Sequence, residues 1–344
     1  MRVNLFVVGF VLLAFTSCQE EQKGTSESQS EQSSEGIATN DALTSWNSTP
    51  SLDRITSFVE SVTDSTSESF VIEEDRIAVF DNDGTLWAEQ PMYFQLYFAI
   101  DQVKAMAADH PEWNEQEPMK SVLAGDLESL KSQGLEGILK LVMTTHAGMS
   151  EMEFNQTVKQ WADTATHPVT NLRYIDMVYQ PMLELLDYFR ANGIKTYIVS
   201  GGGVSFMRAW APEVYGIPKE QIIGTTLKTE FVSDEEGQRV MRQPTIDFID
   251  DKEGKPENIN RIIGQKPIIA FGNSDGDLAM LQYTASRQGL SLPAYIHHTD
   301  SLREYAYDRE GHVGVLIQGM EEAKSKGWLV VDMEKDWNVI YPRK

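Results

Sequence analysis

One cysteine, Cys18, is all the thiol that 344 residues contain. The body of the chain therefore forms no disulfide and does no thiol chemistry. Basic residues are scarce as well: 29 Lys and Arg face 52 Asp and Glu, a formal net charge of −23. A chain this acidic lacks the basic footprint that a phosphate backbone needs, which excludes nucleic acid as a partner. A small phosphorylated molecule needs only a local positive spot and stays allowed. Long apolar runs are missing too, since Leu5–Phe15 is too short to span a bilayer as a stable helix. No Walker A sequence occurs, no repeat at solenoid period is seen, and "GGGVSF" puts Phe206 where a dinucleotide fingerprint needs its last glycine.

What is there begins with "MRVNLFVVGFVLLAFTSCQEEQKG". Arg2, the apolar core and small Thr16 and Ser17 before Cys18 resemble a bacterial lipoprotein signal over residues 1–18, with Phe15 where the usual box has leucine. The resemblance implies a protein of the cell envelope, outside the cytoplasm, held on a membrane by a lipid on Cys18. An ordinary cleaved signal with a chance cysteine is the other reading, and it too lies outside the cytoplasm. Residues 19–48 are rich in Ser, Glu and Gln and read as a solvated tether. Six acidic residues against Lys23 give the tail −5, so the body itself carries about −19.

From Pro50 the apolar residues Leu52, Ile55, Val59 and Val62 recur at helical spacing. Ile77–Phe80 then reads as a short buried strand, because a continuous apolar run suits a parallel sheet. The pattern after Trp87 is helical, and Ser150 with Glu153 forms a capping box. About 115 residues pass before the next clear strand, Lys195–Val199, far more than a crossover helix requires. The spacing predicts a helical insertion over 89–170 and a core over 49–88 and 171–344. The later strands Ile268–Phe271 and Ala294–Ile296 also end in polar turns. In open α/β sheets such ends converge on a ligand site.

Two carboxylates, Asp81 and Asp83, follow the first strand, with Gly84 permitting the turn. Like charges that close need something positive between them, and a metal ion would serve. Read with "SGG", "GKPEN" and "GNSDGD" further on, "DNDGT" makes an ordered set, each fragment at a strand or helix end. Over roughly residues 70–300 this set resembles the haloacid dehalogenase superfamily, in its branch of phosphoserine-phosphatase-like phosphatases. The resemblance implies an α/β fold: a doubly wound, Rossmann-like, mainly parallel sheet core with an inserted helical cap. It implies Asp81 as the nucleophile, Asp83 as the general acid and base, and Ser200 with the Gly201 amide as a phosphate clamp. Lys255 matches the family lysine, with Lys252 as rival. Mg²⁺ is the implied cofactor, held by Asp81, Asp83, Asn273 and Asp277, with Asp275 as a further candidate. Many relatives have aspartate where Asn273 stands; asparagine ligates through its carbonyl oxygen but brings one negative charge fewer.

The activity implied is Mg²⁺-dependent hydrolysis of a small phosphomonoester through an aspartyl-phosphate. Phosphotransfer to another alcohol, or a lipid-anchored binder without catalysis, are the alternatives. Asp83 counts against halide and phosphonate chemistry, since those relatives lack it. Glu89 stands where relatives contact substrate, and a plain surface carboxylate is its other reading. His297 and His298 follow a strand and are candidates for the pocket. For His110, His146 and His167 a packing or surface role is expected, and for Trp87, Trp161 and Trp210 a place in the core.

Overall fold

The structure is a computed structural model that describes residues 42–343. The signal segment 1–18 with Cys18, and the tether as far as residue 41, lie outside the described residues. Ile77–Phe80 forms β1, and all four residues are buried. Successive side chains of a strand leave opposite faces, so Ala78 and Phe80 enter one apolar cluster while Ile77 and Val79 enter another. The other strands are β2 (Lys195–Gly203), β3 (Ile222–Asp234), β4 (Gly237–Phe248), β5 (Ile269–Gly272), β6 (Leu292–His297) and β7 (Leu329–Asp332). They form one seven-stranded sheet in the order β4-β3-β2-β1-β5-β6-β7.

Every neighbouring pair is parallel except β3 and β4. The chain winds outward from β1 first one way, through β2 and β3, then the other way, through β5 to β7. That reversal makes the fold doubly wound and leaves a crevice at the carboxyl ends of β1, β2 and β5. One face is covered by the helix Gln180–Ala191, whose Phe189 lies 6.1 Å from Phe80. Phe80 in turn stacks on Phe271 at 5.4 Å. Helices Gly254–Ile262 and Leu278–Ala285 cover the other face with Ile259, Met280 and Leu281. Each fully buried side chain of this size contributes about 1.5–3 kcal/mol.

Between β1 and β2 run the helices Phe94–Met106, Met119–Ala124, Leu127–Ser132, Gly134–His146 and Glu151–Thr164. The capping box at Ser150 is formed, with the serine side chain and Glu153 exchanging hydrogen bonds. The insertion has its own apolar cluster, including Ile100, Val103, Trp113, Val122 and Leu141. Its inner side is continuous with the main core, because Phe98, Phe154 and Trp161 pack there with Phe206. No helix among the described residues is long and apolar enough to cross a membrane.

Two features depart from the sequence expectation. A tether reaching residue 48 does not hold for its last residues, since Leu43 and Trp46 are buried and Trp46 meets Trp337 edge-on at 6.0 Å. Ser45 is fixed by Glu184 at 2.8 Å through both its amide and its hydroxyl. The second feature is the long antiparallel hairpin of β3 and β4, which reaches past the sheet toward the insertion. Gly148 and Arg242 join the two through backbone bonds, Gly148 N to Arg242 O and Arg242 N to Met149 O, each 2.9 Å. The cover over the crevice is therefore helical on one side and a β-hairpin on the other.

Candidate active site

Asp81 is the first residue beyond β1, and the turn after it is tied by Asn82, whose carbonyl accepts from the amides of Thr85, Leu86 and Trp87. Gly84 takes φ +71° there. The Trp87 indole donates to Asp83 Oδ1 at 3.0 Å and so aims that carboxyl. Burial raises the Asp83 pKa to about 6, against the lowering effect of the indole bond and of Lys255.

Lys255 sits in the first turn of the helix Gly254–Ile262 and is 2 % exposed. Its ammonium donates to Asp81 Oδ1 at 2.8 Å, Asp277 Oδ1 at 2.7 Å and the Val199 carbonyl at 2.9 Å. Burial opposes its charge, but Asp277 and Asp81 outweigh that and hold its pKa above the ordinary lysine value. Burial and the nearby Asp277 charge push the Asp81 pKa up, with Lys255 pulling the other way. Lys252, the rival, is exposed with φ +50° and, unlike Lys255, does not line the cavity described below.

Ser200 is buried on β2, where the register against β3 shifts between Ser200 and Gly203. Such an irregularity re-aims the strand end. The Gly202 amide donates to Ser200 Oγ at 3.1 Å, and the Gly203 amide to Gln95 Oε1 at 2.8 Å. Asp81, Asp83, Glu89, Ser200, Gly201, Lys255 and Asp277 all line one cavity of about 260 Å³ at the crevice.

The three side chains singled out in "GNSDGD" take three different sets of partners. Asp275 turns away, accepting from the amides of Ile317 (3.0 Å), Gln318 (3.2 Å) and Gly319 (2.8 Å), and so caps the helix Gln318–Lys326. Asp277, expected among the metal ligands, uses Oδ1 on Lys255 and Oδ2 on the amides of Asn273 (3.0 Å) and Ser274 (3.1 Å). Its approach to the strand end requires glycine at 272, where a Cβ would lie 2.4 Å from that of Asp277. Asn273 is buried, accepts from the Thr85 hydroxyl at 3.3 Å and donates to Glu89 Oε1 at 2.6 Å.

Glu89 is no surface carboxylate. It is 2 % exposed and also accepts from the Tyr307 hydroxyl at 2.8 Å. Burial, with the charges of Asp83 and Asp81 adding to it, raises its pKa well above the ordinary range. His298 braces the turn from behind, its Nε2 lying 2.7 Å from the Gly84 carbonyl and its ring stacked on Tyr307 at 4.3 Å. His297 faces Asp308 at 3.5 Å and, like His298, does not line the cavity. His146 does line it, contrary to expectation, while His167 packs against the Gln90 carbonyl at 3.0 Å and His110 stacks on Trp113. Trp87, Trp161 and Trp210 are core residues.

Gln95, Arg242 and Tyr93 line the cavity without having been singled out in the sequence. Nothing in their spacing from the acidic motif marks them, because they arrive on a cap helix, its leading turn and a hairpin. Among the described residues no three His, Cys, Asp or Glu side chains are grouped to hold a metal. Of the side chains the sequence offers a metal, Asp81 and Asp83 present carboxyl oxygens, and Asn273, its amide nitrogen committed to Glu89, presents an amide oxygen. An all-oxygen set of few protein ligands fits Mg²⁺, which keeps several waters and binds phosphate oxygens. The Asp81 carboxylate oxygen not bonded to Lys255 and the Asn273 Oδ1 are the side-chain atoms that suit it.

Residues 78–282 match the sequence model of the haloacid dehalogenase-like hydrolase family. None of the curated proteins matches the chain. Among solved structures, a conserved functionally unknown protein from Anaerococcus prevotii DSM 20548 superposes with a TM-score of 0.54 at 17% identity, covering 84% of this chain and 93% of its own. A protein with unknown function from Bordetella pertussis Tohama I gives 0.48 at 16% identity, covering 75% of this chain and 98% of its own. A probable phosphoserine phosphatase from Vibrio cholerae gives 0.36 at 16% identity, covering 67% of this chain and 59% of its own.

Proposed function

The chain belongs to the haloacid dehalogenase-like hydrolases, and on that footing we propose that it is a phosphomonoesterase working through a phosphorylated Asp81. The observation that carries the proposal is the buried ammonium of Lys255 between Asp81 and Asp277, at the floor of a cavity that also holds Asp83 and Ser200. A fixed positive charge there offsets the repulsion between the Asp81 carboxylate and an incoming phosphate. It also works against the burial and the Asp277 charge that favour a protonated Asp81.

In the first step an Asp81 carboxylate oxygen bonds to phosphorus and the bond from phosphorus to the alcohol oxygen breaks. Protonated Asp83 gives its proton to that oxygen, so the alcohol leaves neutral. In the second step a water attacks the same phosphorus, Asp83 takes the water's proton, and phosphate leaves with Asp81 restored. Ser200 and the Gly201 amide donate to the phosphate oxygens throughout. Mg²⁺, held by Asp81, the Asp83 carbonyl and Asn273, would supply charge neutralisation on those oxygens when bound. The substrate is a small phosphorylated molecule, because the insertion and the hairpin cover the crevice.

The location proposed is the cell envelope, with the chain anchored by a lipid on Cys18; the order Arg2, Leu5–Phe15, Cys18 supports it. Loss of acyl labelling in Cys18→Ser tests that part. The activity is tested on the full chain with p-nitrophenyl phosphate, with Mg²⁺ and with chelator, beside Asp81→Asn. Metal-dependent release that drops by about three orders of magnitude or more in the variant is expected. A variant as fast as the parent overturns the nucleophile assignment.

A further inference from the structure

The cavity has a half that the chemistry above leaves unused. Leu96, Ile138, Leu139 and Val142 line it from the insertion, and Leu227 and Ile246 from the hairpin. Ile138, Leu139, Val142 and His146 fall on one face of the helix Gly134–His146, the face turned to the site. Leu96 and Ile138 also pack into the insertion's own cluster. The other four belong to none of the apolar clusters and stay only half-buried. Single half-exposed apolar residues need no explanation. Four of them, brought to one cavity by separate elements, form a surface that something apolar is meant to cover.

Polar groups along the same wall, the Tyr93 hydroxyl apart, are committed to one another. Gln95 takes the Gly203 amide on Oε1 and places Nε2 3.1 Å from His146 Nε2. Arg242 gives its guanidinium to the His146 carbonyl at 2.6 Å and to Glu151 at 2.8 Å, and lies 4.1 Å over the Phe154 ring. Burial keeps His146 neutral, its pKa lowered to about 3. The Thr225 hydroxyl donates to the Gly201 carbonyl at 2.7 Å and accepts from the Asp250 amide. Glu89 is held by Asn273 and Tyr307, and the remaining acid, Asp251, is exposed beside Gly201 and Gly276, away from the apolar wall. Apart from the Tyr93 hydroxyl, which bonds to no protein group among the described residues, this wall offers no spare side-chain partner, so a charged or hydroxyl-rich alcohol would lose most of its water for nothing.

Resting on the phosphomonoesterase reading, we infer that the substrate's alcohol half is uncharged and mainly apolar, an alkyl or aryl group seated against Leu139, Val142, Leu227 and Ile246. Affinity then grows with apolar area, by about fourfold for each methylene buried.

The test is calorimetric binding of ethyl phosphate, hexyl phosphate, glycerol 3-phosphate and phosphoserine to full-chain Asp81→Asn with Mg²⁺, alongside kcat/KM for the same esters on the parent. Hexyl phosphate is expected to bind more than tenfold tighter than each of the others. Val142→Asp should erase that preference, and the milder Leu139→Ala should reduce it while the thermal melt stays cooperative. Polar esters that bind as tightly as hexyl phosphate overturn the inference, and if the parent hydrolyses them the phosphatase reading stands. If the parent hydrolyses none, that reading falls, while the binding series still decides what the wall accepts.

Discussion

Asn273 and Glu89, 184 residues apart in the chain, meet through a hydrogen bond of 2.6 Å from the asparagine amide to the glutamate carboxyl. The carboxyl that aspartate would bring at 273 is thus present one side chain further out, where burial and the charges of Asp83 and Asp81 raise its pKa. Asn273→Asp would set two buried carboxyls against each other, and both cannot ionise at that distance. A loss of roughly 3 kcal/mol in urea unfolding at pH 7 is expected. Adding Glu89→Gln should recover most of it. Additive losses in the double variant would show that the pair does not interact as stated.

Lys255 is the sole side-chain cation bonded to Asp81 and Asp277 among the described residues. Lys255→Met removes it and leaves two buried acids facing each other. The expected cost is about 3–5 kcal/mol of stability, because breaking a buried ion pair strands its partners. Chemical denaturation at pH 7 measures this directly. A loss under about 1 kcal/mol would mean that Lys255 is not the counter-charge.

Gly84 tests how tightly the turn after β1 is filled. At φ +71° any other residue is strained, and an added Cβ would lie 2.0 Å from Asn273 Nδ2 and 2.4 Å from Glu89 Oε1. Gly84→Ala should therefore displace that pair as well as strain the backbone. Expected are a loss of at least about 2 kcal/mol and a fall in kcat larger than any change in KM. Parent-like kcat with a parent-like melt would mean the turn has more room than its geometry shows.

His146 sets a pH dependence of stability whose sign can be worked out. Its pKa is about 3 in the folded protein because burial disfavours the charged ring, with Arg242 adding to the effect. In the unfolded chain it returns to about 6.5. Between these values the unfolded state binds the extra proton, so stability falls as pH drops below about 6.5, by up to about 1.4 kcal/mol per pH unit from this group. His146→Gln should remove that share of the slope. Unfolding free energies of parent and variant from pH 7 to pH 4 give the comparison, and parallel curves would refute the assignment.

Much of this arrangement is legible in sequence wherever a local rule operates. The ends of β1, β2, β5 and β6 show as apolar runs stopping at Asp, Ser, Gly or His. The Ser150 cap and the lysine before Pro256 follow from local patterns as well. The hairpin escapes notice because both its faces are largely wet: Phe231 is 67% and Val240 41% exposed, so alternation in burial scarcely shows. Leu43 and Trp46 are hidden by their polar surroundings, and only Trp337 and Glu184, far along the chain, give them a place. The partnership of Glu89 with Asn273 has no local signature at all. Nor does spacing reveal that Asp275 caps a helix while Asp277 holds Lys255.

Because the wall opposite Asp81 is assembled from a helix near residue 140 and a hairpin near residue 240, joined at Gly148 and Arg242, neither piece can be recast alone. A change of diet for this enzyme requires matched substitutions about a hundred residues apart, and chimeras that exchange only the insertion would inherit a pocket with one foreign half.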